Sequence, residues 1–329
     1  MYILVYIFLL IVSWNGILIG TKRKIKAVFV IKVAIAGGTG MVGRRLSKLL
    51  LEQGHEVIVL TRGEQQTENN IHYVQWLNDD STPEHYVENT DAFVNLAGVS
   101  LNEGRWTDEQ KQKILSSRLE STDEIIRIIQ SMNHKPKVLI NASAVGIYPV
   151  SERAVYTEQA SEKATDFLGS VVAQWEEKAM QAQQLGIRTC FTRFGVILEK
   201  GEGALPMMVL PYKLGVGGTI GSGRQWLSWI HVEDVARAIL FAIENDILSG
   251  PINFTTPNVK RMKQFGHSIS KAIKRPHWFP VPSIALKLAL GEKSMLVLEG
   301  QHVVPEKLLN ANFEFKFVSV EDAIRDLYE

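Results

Sequence analysis

The sequence predicts a doubly wound α/β fold, a parallel sheet with helices on both faces and a smaller substrate lobe on its C-terminal side. Three observations carry that prediction. From Lys32 onward, short apolar runs alternate with stretches of helical periodicity, and strands separated by helices must join as a parallel sheet. The first apolar run ends in a cluster of glycines that opens a helix. After about Gly195 the alternation fades and glycines crowd together.

The elements follow in order. Lys32-Val33-Ala34-Ile35-Ala36 is the first strand, apolar on both faces as a buried parallel strand must be. A helix over 41–53 puts Val42, Leu46, Leu49 and Leu50 on one face, and Gly54 ends it. Residues 57–60, 71–76 and 92–96 read as the second, third and fourth strands. Thr107 and Gln110 have capping-box spacing and open a helix that runs to about Ser131. Residues 138–142 form the fifth strand. Residues 166–185 form a helix with the apolar stripe Leu168, Val172, Trp175 and Ala179. Strands follow at 187–194 and 252–254. Gly201, Gly203, Gly215, Gly217, Gly218, Gly221 and Gly223 read as loops of the substrate lobe. Ser319 and Asp322 cap a last helix that ends near Tyr328.

Composition removes several function classes. The chain has 329 residues, enough for one large α/β domain with an appended piece. With a net charge of +1 and no basic stripe interleaved with aromatics, no nucleic acid partner is expected. The single cysteine, Cys190, excludes a disulfide framework within the chain and reads as a small core residue. The eight histidines show no metal-ligand spacing, so no metal is expected. Residues 1–20 carry no charge and are nearly all apolar, interrupted by Ser13, Asn15 and Gly16. A run of about 18 apolar residues just spans a bilayer. Lys22, Arg23, Lys24 and Lys26 behind it would hold the rest of the chain on the cytoplasmic side. The competing reading is a start codon placed too far upstream, because the domain pattern needs nothing before Lys32. Both readings stay open: the protein is expected to be cytoplasmic, tethered to the inner face of the membrane only if residues 1–20 are real.

The glycine cluster is the most specific motif. In Gly37-Gly38-Thr39-Gly40-Met41-Val42-Gly43, the glycines Gly37, Gly40 and Gly43 have the spacing G-x-x-G-x-x-G directly between strand and helix. One permits the tight turn, one lets the backbone approach a pyrophosphate, and one lets the helix pack close to the strand. The helix N-terminus then offers N–H groups to the phosphates. This is the turn of a Rossmann domain, so a dinucleotide is expected. Asn95-Leu96-Ala97-Gly98 follows the fourth strand. The second strand ends in Thr61-Arg62, where NAD sites usually carry Asp or Glu for the ribose. A guanidinium suits a 2′-phosphate, so NADP is expected and NAD less so. In the other reading Arg62 is a solvated side chain and Glu64 takes the acidic role. The domain expectation is 32–250 for the dinucleotide-binding domain with interleaved substrate loops. Residues 251–329 would hold the last strand and a C-terminal substrate-side domain, with 1–31 outside the fold.

These residues, with Ser143 after the fifth strand, resemble the extended short-chain dehydrogenase/reductase superfamily. Arg105-Trp106-Thr107, the segment from Ser143 to Tyr148, and the segment from Gly221 to His231 are similar to the bacterial "epimerase family protein" group of atypical members. That group carries a C-terminal domain of unknown function, which residues from about Pro280 to Tyr328 resemble. The resemblance implies a Tyr-x-x-x-Lys pair on the helix after the fifth strand, often with a glutamate four residues beyond the lysine. Glu176 fits that glutamate, which aligns Val172 with the lysine and Leu168 with the tyrosine. Neither exchanges a proton. Arg118 stands where typical members have a helix asparagine. Ser143 matches the serine that hydrogen-bonds the reacting oxygen, and Tyr148 lies in the segment that lines the nicotinamide side in relatives. Ser143, Tyr148 and Arg118 are therefore the catalytic candidates. The plainer alternatives are a strand-end hydroxyl for Ser143 and a buried structural tyrosine for Tyr148.

On the substrate side, His231-Val232-Glu233-Asp234 matches a family motif, but Leu227 stands where sugar-nucleotide relatives carry an arginine. A nucleotide-sugar substrate is thereby less favoured. Arg105, Trp106, Arg193, Arg224 and Trp226 are candidates, with Arg118, to line a pocket for an anionic small molecule outside the strands' carboxyl ends. The function expected is an NADP(H)-dependent oxidoreductase or epimerase acting on a small molecule. Loss of the Tyr/Lys pair keeps open a non-catalytic NADP(H)-binding sensor or scaffold.

Overall fold

Every strand read from the sequence forms, and all enter one sheet. A computed structural model describes residues 30–78 and 80–329. Its main strands are β1 (Lys32–Ala36), β2 (Glu56–Thr61), β3 (Gln66–Glu68), β4 (Ile71–Gln75), β5 (Ala92–Asn95), β6 (Val138–Ala144), β7 (Arg188–Phe194) and β8 (Gly250–Phe254). They lie in the order β8-β7-β6-β5-β1-β2-β4-β3. All neighbours are parallel except β3 and β4, which form an antiparallel hairpin. Strand β1 pairs with β2 on one side and β5 on the other, so the winding reverses between β1 and β5. A crevice opens at such a reversal, outside the carboxyl ends of the strands.

The core explains why the strands read as unbroken apolar runs. Val33, Ile35, Val57, Val59, Val94 and Ile140 point to one face of the sheet, where they meet Val42, Leu46 and Leu50 of α1 (Met41–Glu52). Ala34, Ala36, Ile58, Leu60, Phe93 and Leu139 point to the other, against Ile125, Ile126, Ile128 and Ile129 of α2 (Asp108–Ser131). Thr107 caps α2 by accepting the Gln110 N–H, as its spacing predicts. Helix α3 (Phe167–Met180) continues as a tighter 3-10 turn to Leu185. Gly54 takes the left-handed conformation, φ +81°, at the end of α1.

The sequence reading misses two features. Strand β3 has only exposed residues, so no apolar periodicity marks it. Its signal is the turn: Asn69 and Asn70 both have positive φ, 51° and 62°, the chemistry of a two-residue hairpin loop. The glycine-rich stretch expected to be loops contains a helix, α4 (Leu205–Lys213), whose Pro206 and Pro211 disguise it. It joins α6 (Met262–Ala272) and α8 (Val320–Tyr328) in a separate apolar cluster that includes Val209, Trp229, Phe265, Ile269 and Ile324. This is the core of the C-terminal lobe. Between them in sequence run α5 (Val232–Glu244), packed beside α1, and α7 (Ser283–Leu290). Ser319 caps α8 through the Asp322 N–H. Short pairings stitch lobe and sheet together: His302–Val303 pairs with Val155–Tyr156, and Trp229–His231 with Val196–Leu198. Residues from Ile31 to Glu329 form one compact unit.

The membrane anchor considered above is corrected. Among the described residues no helix is long and apolar enough to cross a membrane. The segment to which that expectation attached, residues 1–20, lies outside the described residues. Cys190 sits in the middle of β7, fully buried, with its thiol donating to the Leu248 carbonyl at 3.2 Å. Burial pushes that thiol up to about 11.

Candidate functional site

The glycine loop lies at the carboxyl end of β1, in the crevice. Gly37 has φ +74°, and a Cβ there would stand 2.7 Å from the carbonyl carbon and oxygen of Leu96. The loops after β1 and β5 therefore touch at this residue, and no side chain fits between them. A Cβ on Gly43 would fall 2.5 Å from the Gly37 oxygen, so α1 packs directly on the loop. Gly40 is the N-cap of α1, without a side-chain cap and without an acidic residue in the first turn. The amides of Met41, Val42 and Gly43 at that end have no carbonyl inside the helix to bond. Thr39 and Gly40 are exposed. This uncapped end, with its positive dipole and cleared approach, fits a pyrophosphate. Gly38 faces inward, where a Cβ would stand 2.6 Å from the Val59 side chain. Thr61 ends β2, its hydroxyl accepting the Gly63 N–H, and Arg62 beside it is exposed.

A buried hydrogen-bonded cluster fixes the end of β5. Asn95 donates to Thr122 Oγ1 at 3.0 Å and to Asn141 Oδ1 at 2.8 Å, while its own oxygen accepts the Ala97 N–H. Trp175 Nε1 donates to the same Thr122 hydroxyl. The segment Leu96-Ala97-Gly98 is thus held by α2 and α3 together. Arg118 of α2 lies against it: a Cβ on Gly98 would come 3.2 Å from the Arg118 Cγ and Cζ. Its Nη1 donates to the carbonyls of Ile114 and Val99, at 2.8 and 3.2 Å, and its Cζ sits 5.1 Å from the centre of the Trp175 ring. Burial pulls this guanidinium down to about 10.

At the end of β6 a second network is closed on itself. Ser143 Oγ donates to Glu176 Oε1 at 2.6 Å. Arg193 donates to both oxygens of Glu176, through Nε and Nη2 at 2.8 Å each, and through Nη1 to Tyr148 Oη at 2.8 Å. Tyr148 donates in turn to Asn253 Oδ1 at 2.8 Å. Ser143, Tyr148, Arg193 and Glu176 are all buried. Burial raises the Tyr148 phenol above its ordinary range, with the Arg193 charge opposing. Burial alone would lower Arg193, but the Glu176 carboxylate holds it up. The donors of Arg193 are therefore engaged inside the protein, and Ser143 and Tyr148 face this network. Leu168 and Val172, on the neighbouring turns of α3, are apolar contacts: Leu168 packs near Trp106, and Val172 packs with Tyr148.

The remaining candidates separate. Arg105 is exposed, while Trp106 is buried and donates from Nε1 to the Leu101 carbonyl. Arg224 is exposed and pairs with Glu152 at 3.3 Å, and Trp226 donates to the Glu152 carbonyl beneath the Arg261 guanidinium. The His-Val-x-Asp motif is structural in its contacts. His231 Nδ1 accepts the Glu233 N–H and caps α5. Asp234, fully buried, accepts the amides of Lys316 and Phe317 at 2.8 Å each. Leu227 is buried. The sequence reading missed Thr122 and Asn141, the polar residues that fix the crevice. The one signal for Asn141 is an amide side chain inside an otherwise apolar strand. Among the described residues no group of three or more His, Cys, Asp or Glu is arranged to hold a metal.

Known proteins resemble this chain in sequence and fold. Residues 33–253 match the NAD dependent epimerase/dehydratase family, and residues 281–327 match a domain of unknown function, DUF1731. Epimerase family protein YfhF of Bacillus subtilis is 48% identical over 90% of this chain and 97% of its own length. The crystal structure of human epimerase family protein SDR39U1 (isoform 2) with NADPH superposes with a TM-score of 0.82. It is 31% identical, over 90% of this chain and 99% of the human one. MoeE5 in complex with UDP-glucose and NAD has the same fold, with a TM-score of 0.71 and 16% identity over 90% of this chain and 97% of its own. These neighbours correct the ranking of NADP above NAD. The human structure carries NADPH and the MoeE5 structure carries NAD, and Arg62 is exposed. Neither dinucleotide is preferred on these grounds.

Proposed function

The chain belongs to the NAD dependent epimerase/dehydratase family, and from that premise we propose that it is an NAD(P)-dependent oxidoreductase or epimerase acting on a small molecule. The observation that carries the proposal is the uncapped N-terminus of α1 behind Gly37, set where the sheet reverses its winding. Gly37, Gly38, Thr39, Gly40, Met41, Val42 and Gly43 would take the pyrophosphate, Thr61 and Arg62 the adenosine end, and Leu96, Ala97 and Gly98 the nicotinamide side. When bound, the dinucleotide supplies or accepts a hydride. The chain's own residues bind and orient it, and the Asn95, Thr122 and Asn141 cluster keeps the β5 loop in register with the glycine loop.

Of the three catalytic candidates, Arg118 is the one whose side chain lies against the β5 loop. Ser143 and Tyr148 support the site through the Glu176–Arg193 pair. The division into a dinucleotide-binding domain at 32–250 and a substrate side at 251–329 belongs to the same proposal, with β8 as the strand they share. Fluorescence titration of the full chain with NADH and NADPH, side by side, tests it. At least one should bind saturably, and Gly43→Val should abolish binding by forcing α1 away from the backbone of Gly37 and Gly38. Binding of neither would sink the proposal. Substrate-dependent oxidation of the bound form then separates an enzyme from a sensor.

A further inference from the structure

We propose that Arg118 is the receptor for an oxyanion of the substrate, a carboxylate or phosphate group placed beside the nicotinamide; the proposal rests on the dinucleotide-binding reading above and names the substrate class for that site. The argument begins with how this fold treats enclosed guanidinium groups. Arg193 is buried and fully answered, with Glu176 gripping it by two hydrogen bonds. Arg118 is also largely enclosed, yet among the described residues it has no carboxylate partner. Its hydrogen bonds come from Nη1 alone, to two backbone carbonyls. Nε and Nη2 bond nothing, and neither is among the sealed side-chain atoms left without a partner, so both reach solvent. A cation removed from water without a counter-charge is unfavourable. A planar fork with two free donors on one edge matches an oxyanion.

The place points to the substrate as the source of that anion. The phosphates of a dinucleotide are answered at α1, on the β1 side of the crevice. Arg118 lies on the other side, between the loop after β5 and Trp175 of α3. Its surroundings there are apolar, with Trp106, Phe167 and Leu168 in the neighbouring cluster. The face of the Trp175 ring lies against the guanidinium, with Cζ 5.1 Å from the ring centre. The substrate class that fits is a small acid with an apolar body.

The experiment uses the full chain saturated with whichever dinucleotide it binds, and three probes: benzoate, phenylphosphate and the neutral benzamide. Trp175, stacked on the receptor, reports by fluorescence. Benzoate or phenylphosphate should bind saturably and benzamide should not. Arg118→Gln should weaken the acid by roughly 10–100-fold, the range for a charged hydrogen-bonded contact. Arg118→Lys, which keeps the charge and loses the fork, should fall between. If Arg118→Gln does not fold, the lysine variant and the benzoate–benzamide comparison in the unaltered protein decide the matter. Benzoate and phenylphosphate binding no better than benzamide would overturn the proposal. So would an Arg118→Gln loss that falls on the dinucleotide instead, because the oxyanion would then be the cofactor's. Dinucleotide binding without acid binding overturns this inference alone, whereas failure to bind either dinucleotide overturns the functional reading and the inference with it.

Discussion

Glu176 meets three donors from two residues, and this makes it the most consequential single side chain of the β6 end. Glu176→Ala would leave the Arg193 guanidinium buried without its counter-charge, a change that costs about 3–5 kcal/mol when one partner of an enclosed pair is lost. Urea unfolding should show a midpoint lowered accordingly. Tyr148→Phe removes one hydrogen bond to Arg193 and one to Asn253, at a cost of about 1–3 kcal/mol. The same variant should leave dinucleotide affinity unchanged. A large affinity loss without a stability loss would instead put the Tyr148 hydroxyl on the ligand. At this scale the sequence is legible only where the chemistry is local. The glycine loop can be read because seven consecutive residues do the work. The partnership of Arg193 with Glu176 cannot, because it joins β7 to α3, two elements brought together only by the fold, and an arginine at a strand's carboxyl end looks the same whether it is free or paired.

Among the elements, α5 depends on an unusual cap. His231 accepts the Glu233 N–H through Nδ1, so the imidazole must be neutral, and burial depresses it to about 4. Its Nε2 has the Asp326 carboxylate 3.4 Å away, outside hydrogen-bonding geometry. The unfolded chain's histidine takes up its proton near 6.5. The stability contributed by this cap is therefore fully present above that pH and falls as pH drops toward 4, by on the order of 3 kcal/mol in total. Thermal unfolding followed between pH 7 and 4 should show the decline, and His231→Asn, which keeps an N-cap acceptor, should flatten it. Elements were legible in proportion to their burial. β1, β5 and β6 are apolar on both faces and bounded by glycine or turn residues, so their limits come out within a residue or two. β3 has only exposed polar residues, and α4 carries two prolines, so both escape a reading based on periodicity.

Across the whole molecule, the C-terminal lobe is bound to the sheet by buried polar contacts as well as by its own core. Asp234 on α5 holds the amides of Lys316 and Phe317. Glu158 accepts the amides of Asn253 and Lys307, and Ser228 joins Gln301 to Val303. Removing residues 281–329 would take both amides from Asp234, the Lys307 amide from Glu158 and both partners from Ser228, and would expose Trp229 and Phe265 of the lobe core. The shortened chain should give no cooperative unfolding transition by circular dichroism, while the full chain should give one. A stable, cooperatively folding fragment would mean that the two parts stand independently.

The buried thiol of Cys190 has a practical consequence. It is the only cysteine in the sequence, enclosed in β7 and poorly ionised at neutral pH, and the thiolate is the form that alkylating reagents attack. Maleimide dyes should leave the folded protein unlabelled. A single cysteine introduced on the surface, at exposed Lys48 for instance, would then carry one fluorophore at one known position. A second surface cysteine carrying the acceptor dye would then allow distance measurements by energy transfer without first mutating the core.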